Sequence, residues 1–105
     1  MSHELLVKEA LRRQRIFKDL DNYLRIIKST VMDLDPRAEV YLFGSVAEGR
    51  HVYSSDIDIL VVTEKPPALV ISELWRRGIT DPFEIHVCRK RELPWYKSRV
   101  KLTKI

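Results

Sequence analysis

The sequence has few of the residues that specialised protein classes require. Cys88 is the single cysteine among 105 residues, so neither an internal disulfide nor a zinc site built on paired cysteines is expected. No apolar run approaches the roughly 20 residues that span a bilayer, and residues 1–15 lack the apolar segment of a signal peptide. Three glycines and no biased tract argue against a low-complexity chain. We therefore expect a cytoplasmic protein without membrane contact.

The composition is that of an ordinary folded domain. Hydrophobic residues make up 45% of the chain and charged residues 32%, a balance that supports a packed core and disfavours disorder. A chain of this length fits one domain, because a second core would leave both halves marginally stable. We predict a single domain over residues 1–105.

Positive charge is concentrated at the end of the chain. The net charge is +4, yet residues 89–105, the basic tail, hold seven basic residues against one acid, Glu92. Such a tail can contact nucleic acid, an acidic partner or a nucleotide phosphate, although runs of Lys and Arg more often form a solvated face.

Apolar residues spaced by three and four predict an N-terminal helical segment over residues 1–35, which Pro36 ends. One helix of about 30 residues would be about 45 Å long, so a break or a projecting end is expected. The series consists of Leu6, Ala10, Phe17, Leu20, Leu24, Ile27 and Val31.

Three short segments have the pattern of strands. They are "EVYLF" (39–43), "DIDILVVT" (56–63) and "PFEIHVC" (82–88), rich in β-branched and aromatic residues. Between the last two, "PPALVISELWRRG" predicts a helix that begins near its prolines and ends near its glycine. The basic tail is compatible with either a short helix or a further strand.

Carboxylates at the second and third strands are candidates for a metal site. Alternation places Asp56 and Asp58 on one face, about 6.8 Å apart along the strand, where an effective dielectric of about 20 gives roughly 2.4 kcal/mol of repulsion. Glu84 shares a face with His86 and Cys88 on the third strand. A helical crossover favours parallel pairing of these strands, which could bring the three acids together as oxygen ligands for Mg²⁺.

The histidines give no zinc pattern. His3, His51 and His86 are scattered along the chain, and each is predicted to be an ordinary surface or packing residue.

A Gly-Ser pair follows the first strand. Gly44 allows close approach of the backbone, and the Ser45 hydroxyl with backbone N–H groups of a short following helix would face an anion. Alone, Gly-Ser is usually a turn and Asp-x-Asp often a solvated strand end. Their order and spacing after an apolar strand is the specific signal.

The stretches "LFGSVAEG", "SDIDILVV" and the acid in "FEIHV" resemble the nucleotidyltransferase superfamily that includes DNA polymerase β. They are most similar to its smallest prokaryotic members, the minimal nucleotidyltransferase (MNT) proteins. The resemblance covers residues 38–88 as a catalytic core. It implies an α+β nucleotidyltransferase fold, with a small mixed sheet of three or four strands packed by helices and a long N-terminal helix.

The resemblance also implies roles for individual residues. Gly44 and Ser45 would hold the nucleoside triphosphate, and Asp56 and Asp58 would bind two catalytic Mg²⁺ ions. Glu84 would be a third metal ligand or the base toward the acceptor hydroxyl.

One residue departs from the family pattern. Many small relatives carry arginine where this chain has Glu48, so a phosphate-facing cation is missing there. Arg50 is the expected substitute. The acid at position 48 leaves open a degenerate member that does not catalyse.

The leading hypothesis is therefore Mg²⁺-dependent transfer of a nucleoside monophosphate to a partner protein. We expect AMP from ATP, with another nucleoside triphosphate as the alternative donor. In small relatives the partner is often a helical HEPN-domain toxin, which implies an antitoxin. Two alternatives stay open: a non-catalytic binding protein that neutralises its partner, and a nucleic-acid-binding module that uses the basic tail with Trp95 and Tyr96. Self-association through the first helix also stays open.

Overall fold

Helices and strands alternate along the chain in the computed structural model, which describes residues 2–52 and 55–105. The helices are α1 (His3–Lys18), α2 (Leu20–Leu34), α3 (Gly44–Ala47), α4 (Pro67–Arg76) and α5 (Leu93–Lys97), the last preceded by a 3₁₀ turn, Lys90–Glu92. The strands are β1 (Glu39–Phe43), β2 (Ile57–Val62), β3 (Phe83–Cys88) and β4 (Thr103–Lys104). None of the helices within the described ranges has the length and apolar character needed to cross a membrane.

The strands form one mixed sheet in the order β3-β2-β1-β4. β1 pairs antiparallel with β2 and with β4, whereas β2 and β3 are parallel and connected through α4. The predicted α+β fold with a small mixed sheet is confirmed, and so is the parallel pairing of the second and third strands. The basic tail contains both a short helix and a short strand.

The predicted long N-terminal helix is divided in two at Asp19. The backbone N–H of Asp19 donates to the carbonyl oxygens of Arg15 and Ile16 at 3.1 and 3.2 Å, which closes the last turn of α1 before α2 begins. Ile16 is the buried residue of α1, and the molecule measures 45 × 29 × 23 Å. Both the expected break and a helix that packs mainly through its C-terminal end are present.

Each face of the sheet has its own core. One face, with Ile57, Ile59 and Val61, packs against α2 and α4. The opposite face buries a second cluster that the tail covers through Leu93, with Tyr96 packed against it. On the sheet this second cluster consists of Tyr41, Phe43, Leu60, Val62 and Cys88. Alternation along the strands therefore separates the faces as predicted, and the carboxylates lie at the edge of the second cluster.

Candidate functional site

Parallel pairing of β2 and β3 brings two of the predicted acids together. Asp58 and Glu84 are direct partners in the β2–β3 register, and His86 follows two residues later on the same face. Ligand atoms from these three side chains lie within 4.8 Å of one another. We call Asp58, Glu84 and His86 the acid cluster.

Histidine lies between the two carboxylates. The Nε2 atom of His86 is 3.4 Å from Oδ1 of Asp58 and 3.9 Å from Oε1 of Glu84. Asp58 is half-buried, whereas the Glu84 side chain is 55% exposed. The His86 ring packs edge-on against Phe43, with centroids 5.1 Å apart, so the apolar core supports the cluster from one side and water reaches it from the other.

The Gly-Ser turn lies directly against Asp58. Phe43 pairs with Asp58 across β1 and β2, and the next residue, Gly44, has a φ angle of +77°. A Cβ atom at position 44 would overlap Oδ2 of Asp58 and lie 3.3 Å from its Cγ. Only glycine satisfies both constraints, so the predicted close approach of the backbone is a contact with the acid itself.

The short helix α3 begins at this turn. Its serine, Ser45, is half-buried and accepts a hydrogen bond on its carbonyl oxygen from the backbone N–H of Arg50, at 2.9 Å. This bond folds the chain back after α3. The predicted contact of Ser45 with a phosphate is untested and stays a prediction.

Glu48 and Arg50 form an ion pair. The guanidinium Nη2 of Arg50 is 3.1 Å from Oε2 of Glu48, with the two side chains 67% and 40% exposed. Glu48 and Arg50, the expected substitute for the missing arginine, therefore partly neutralise each other at the surface. Because a guanidinium has five N–H donors, Arg50 keeps donors for a phosphate, but Glu48 partly cancels its charge.

Asp56 does not join the acid cluster. It is exposed and lies one residue before β2 begins. The chain just before it is held by α1, because Nη1 of Arg13 donates to the carbonyl oxygen of Ser55 at 3.4 Å while Nη2 pairs with Asp81 at 3.0 Å. The assignment of Asp56 as a metal ligand stays a prediction.

The sequence prediction placed His86 among ordinary histidines, whereas the structure groups it with the acids. A usable signal was present, since alternation along "FEIHV" puts Glu84 and His86 on one face. His51, in contrast, stacks on Phe17 with centroids 5.0 Å apart. Of the two, only His86 offers a nitrogen beside the carboxylates.

The donor set determines which metal fits. Two carboxylate oxygens suit Mg²⁺, which uses a few such ligands together with waters and phosphates, whereas imidazole suits Mn²⁺, Zn²⁺ and later metals better. Cys88 shares the strand face but is buried, and burial raises the pKa of its thiol to about 11. At neutral pH it is therefore a packing residue and supplies no thiolate.

The described residues also form a groove away from the acid cluster. A groove of about 470 Å³ lies at the opposite end of β2, where Thr63, Lys65 and Lys90 contribute to its lining. Asp58 and Glu84 line no part of it. The groove and the acid cluster are therefore separate features of the surface.

Comparison with known proteins gives one family. A family model described as a nucleotidyltransferase domain matches residues 24–101. A curated relative, the inactive non-canonical poly(A) RNA polymerase protein Trf4-2 of Drosophila melanogaster, is 36% identical over 78 residues, which cover 70% of this chain and 19% of the relative. The chain therefore spans about a fifth of the length of that relative.

Two crystal structures resemble the chain over most of its length. One, provisionally assigned as a nucleotidyltransferase, is 28% identical with a TM-score of 0.60 and covers 78% of this chain and 96% of its own. Another, from Sulfolobus solfataricus and given the same provisional assignment, is 29% identical with a TM-score of 0.57, covering 91% and 85%. Fold and family model therefore agree.

Proposed function

The chain belongs to the nucleotidyltransferase domain family, and from this membership we propose that it transfers AMP from ATP to a hydroxyl group of a partner protein. The observation that supports this most strongly is the register of Asp58 with Glu84 beside the glycine turn. Asp58 and Glu84 would hold Mg²⁺, and Asp56 is proposed as a further ligand. Bound Mg²⁺ would supply charge stabilisation for the attacking and leaving oxygens of an in-line displacement.

The remaining roles fall to residues around the turn. Gly44 and Ser45 would bind the triphosphate through the backbone at the start of α3, with Arg50 as a phosphate-binding side chain. The acceptor oxygen forms a bond to the α-phosphorus, the bond to the bridging oxygen breaks, and pyrophosphate leaves. Instead of binding the metal, Glu84, which is more exposed than Asp58, would alternatively be the base that takes the proton of the acceptor hydroxyl.

We propose that the acceptor is a helical HEPN-type toxin and that this chain is its antitoxin. The proposal rests on the resemblance to minimal nucleotidyltransferases. It is supported by exposed apolar side chains on α1, since Leu5, Leu6 and Leu11 are 54%, 55% and 46% exposed. Such side chains provide a surface on which a helical partner could pack.

The proposal is tested by incubating the protein with ATP labelled at the α-phosphate, Mg²⁺ and the protein encoded beside it. The expected result is label on a hydroxyl-bearing residue of the partner. Asp58→Asn should abolish labelling, while Asp21→Asn, which changes an exposed aspartate of α2, should leave it unchanged. Absence of label with wild-type protein, or equal labelling by Asp58→Asn, would refute enzymatic transfer.

A non-catalytic binding protein is the second candidate. Two observations favour it: Asp56 lies outside the acid cluster, and the curated relative is described as inactive. The Asp56→Asn, Asp58→Asn double variant separates the candidates. Full neutralisation of the partner by the folded double variant supports binding alone, and loss of neutralisation supports catalysis.

A further inference from the structure

The two aromatic residues of the tail have different surroundings. Tyr96 packs against the second core, as expected for a residue that anchors the tail. Trp95 is 54% exposed and belongs to neither core cluster. The guanidinium carbon of Arg99 lies 4.3 Å from the centroid of its ring, a cation–π contact that holds the indole at the surface. Anchoring therefore explains Tyr96 but not Trp95.

Three basic residues that follow Trp95 in the sequence have no carboxylate partner in the part of the chain that the structure describes. Among the seven basic residues of the basic tail, Lys104 forms an ion pair with Glu39 at 3.6 Å. No carboxylate in the described ranges lies within ion-pair distance of Lys97, Arg99 or Lys101, and all three are exposed. We call Trp95, Lys97, Arg99 and Lys101 the α5 platform.

A second exposed tryptophan shows that exposure alone does not define such a surface. Trp75 on α4 is 62% exposed, and it is followed directly by two arginines. Both arginines are neutralised, because Arg76 pairs with Glu73 at 3.5 Å and Arg77 pairs with Asp33 at 2.9 Å. Trp75 is therefore a matched control for the α5 platform.

The platform lies on the same sheet face as the acid cluster. A chain of ring contacts connects them: His86 to Phe43 at 5.1 Å, Phe43 to Tyr96 at 6.4 Å, and Tyr96 to Trp95 at 5.0 Å. A polymer on the platform would thus pass close to the carboxylates.

We propose that the α5 platform binds single-stranded nucleic acid. An unpaired base would stack on Trp95, and consecutive phosphates would be neutralised by the three cations. Stacking on an aromatic side chain and backbone electrostatics are the two components of sequence-tolerant single-strand binding. This inference goes beyond transfer to a protein and does not depend on it.

Fluorescence anisotropy with a labelled 12-nucleotide single-stranded RNA, without ATP or divalent ions, tests the proposal independently of catalysis. Trp95→Ala should weaken binding by at least about fivefold, because stacking of one base is worth about that or more, while Trp95→Phe should weaken it less. Replacing Lys97, Arg99 and Lys101 by alanine should reduce the salt slope of log affinity by about 2, at about 0.7 per phosphate.

Trp75→Ala should leave the affinity unchanged, and circular dichroism would establish that each variant is folded. No binding by wild type at low salt, equal losses in Trp95→Ala and Trp75→Ala, or equal affinity for duplex RNA would overturn the proposal. The proposal would also be overturned, in favour of an acidic protein partner, if polyglutamate competed with the RNA equally well on the wild-type protein and on Trp95→Ala.

Discussion

The backbone of Gly44 lies so close to the carboxylate of Asp58 that there is no room for a side chain at position 44. The backbone of Gly44 has a positive φ angle, and a Cβ there would meet the Asp58 carboxylate. This relationship places the Gly-Ser turn, proposed to bind phosphate, next to the proposed metal ligand. Asp58 pairs with Phe43 across β1 and β2, so the sheet fixes the position of Gly44, the next residue, against Asp58.

Gly44→Ala should destabilise the fold more than Gly49→Ala. Both glycines have positive φ angles, +77° and +72°, but a Cβ at Gly49 meets nothing within 4 Å. Each variant incurs about 1–2 kcal/mol of left-handed strain, and Gly44→Ala adds about 1–3 kcal/mol of overpacking. Urea unfolding measures the difference in the free energy of unfolding.

The extra cost at Gly44 should shrink when Asp58 is shortened. In an Asp58→Ala background the obstructing carboxylate is absent, so a double-mutant cycle should show coupling. Equal destabilisation by the two glycine variants, or no coupling with Asp58, would contradict the contact.

The acid cluster should bind Mn²⁺ more tightly than Mg²⁺ because His86 contributes an imidazole nitrogen 3.4 Å from Asp58. His86→Gln should lower the affinity for Mn²⁺ by about tenfold and change that for Mg²⁺ less. Titration calorimetry with each ion measures both constants. His51→Gln provides the control outside the cluster. If His86→Gln leaves the ratio of the Mn²⁺ and Mg²⁺ affinities unchanged, the imidazole is not a metal ligand.

Asp35 should make stability depend on pH in the acid range. The Thr63 hydroxyl donates to Oδ2 of Asp35 at 2.6 Å, and this bond, followed by the backbone N–H of Arg37, holds the pKa of Asp35 below its ordinary value of 3.8. The stabilisation is therefore present above about pH 4 and is lost as pH falls through the lowered pKa.

Thr63→Val should consequently lose about 1 kcal/mol at pH 7, after allowance for solvent screening. The difference from wild type should shrink at low pH to the part due to the second bond of this hydroxyl, which it accepts from the backbone N–H of Lys65 at 3.1 Å. Thr63→Ser keeps the hydroxyl and should behave like wild type. Chemical unfolding between pH 2 and 7 gives the comparison, and a constant difference across that range would argue against the bond.

Cys88 should react slowly with thiol reagents in the folded protein. The pKa of its thiol is raised to about 11, mainly by burial and further by the charges of Glu92 and Glu64. The thiolate is therefore scarce at pH 8. Alkylation by iodoacetamide, followed by mass spectrometry, should be slow without denaturant and rapid in urea. Rapid modification of the native protein would show that the second core is open.

The strands and their faces could be predicted from the sequence because their signal is local. "EVYLF" matches β1 residue for residue, and alternation in "FEIHV" separates Glu84 from its apolar neighbours. The parallel pairing of β2 and β3 could also be predicted, since a helical crossover favours it, whereas the exact register of Asp58 with Glu84 came from the structure.

Other features depend on tertiary geometry and could not be predicted. The position of Asp56 outside the acid cluster reflects where β2 begins, a boundary that periodicity does not resolve. The ion pair of Glu48 with Arg50 depends on how the chain folds back after α3. The exposed position of Trp95 beside the partly buried Tyr96 depends on how α5 meets the second core.

The most direct test of the central claim, that Asp58 is the metal ligand through which this site binds a nucleotide, is calorimetric titration with α,β-methylene ATP, with and without Mg²⁺. We predict that Mg²⁺ raises the affinity of the wild-type protein by at least about tenfold and that Asp58→Asn, folded, loses this increase. The same Mg²⁺-dependent increase in Asp58→Asn would contradict the account.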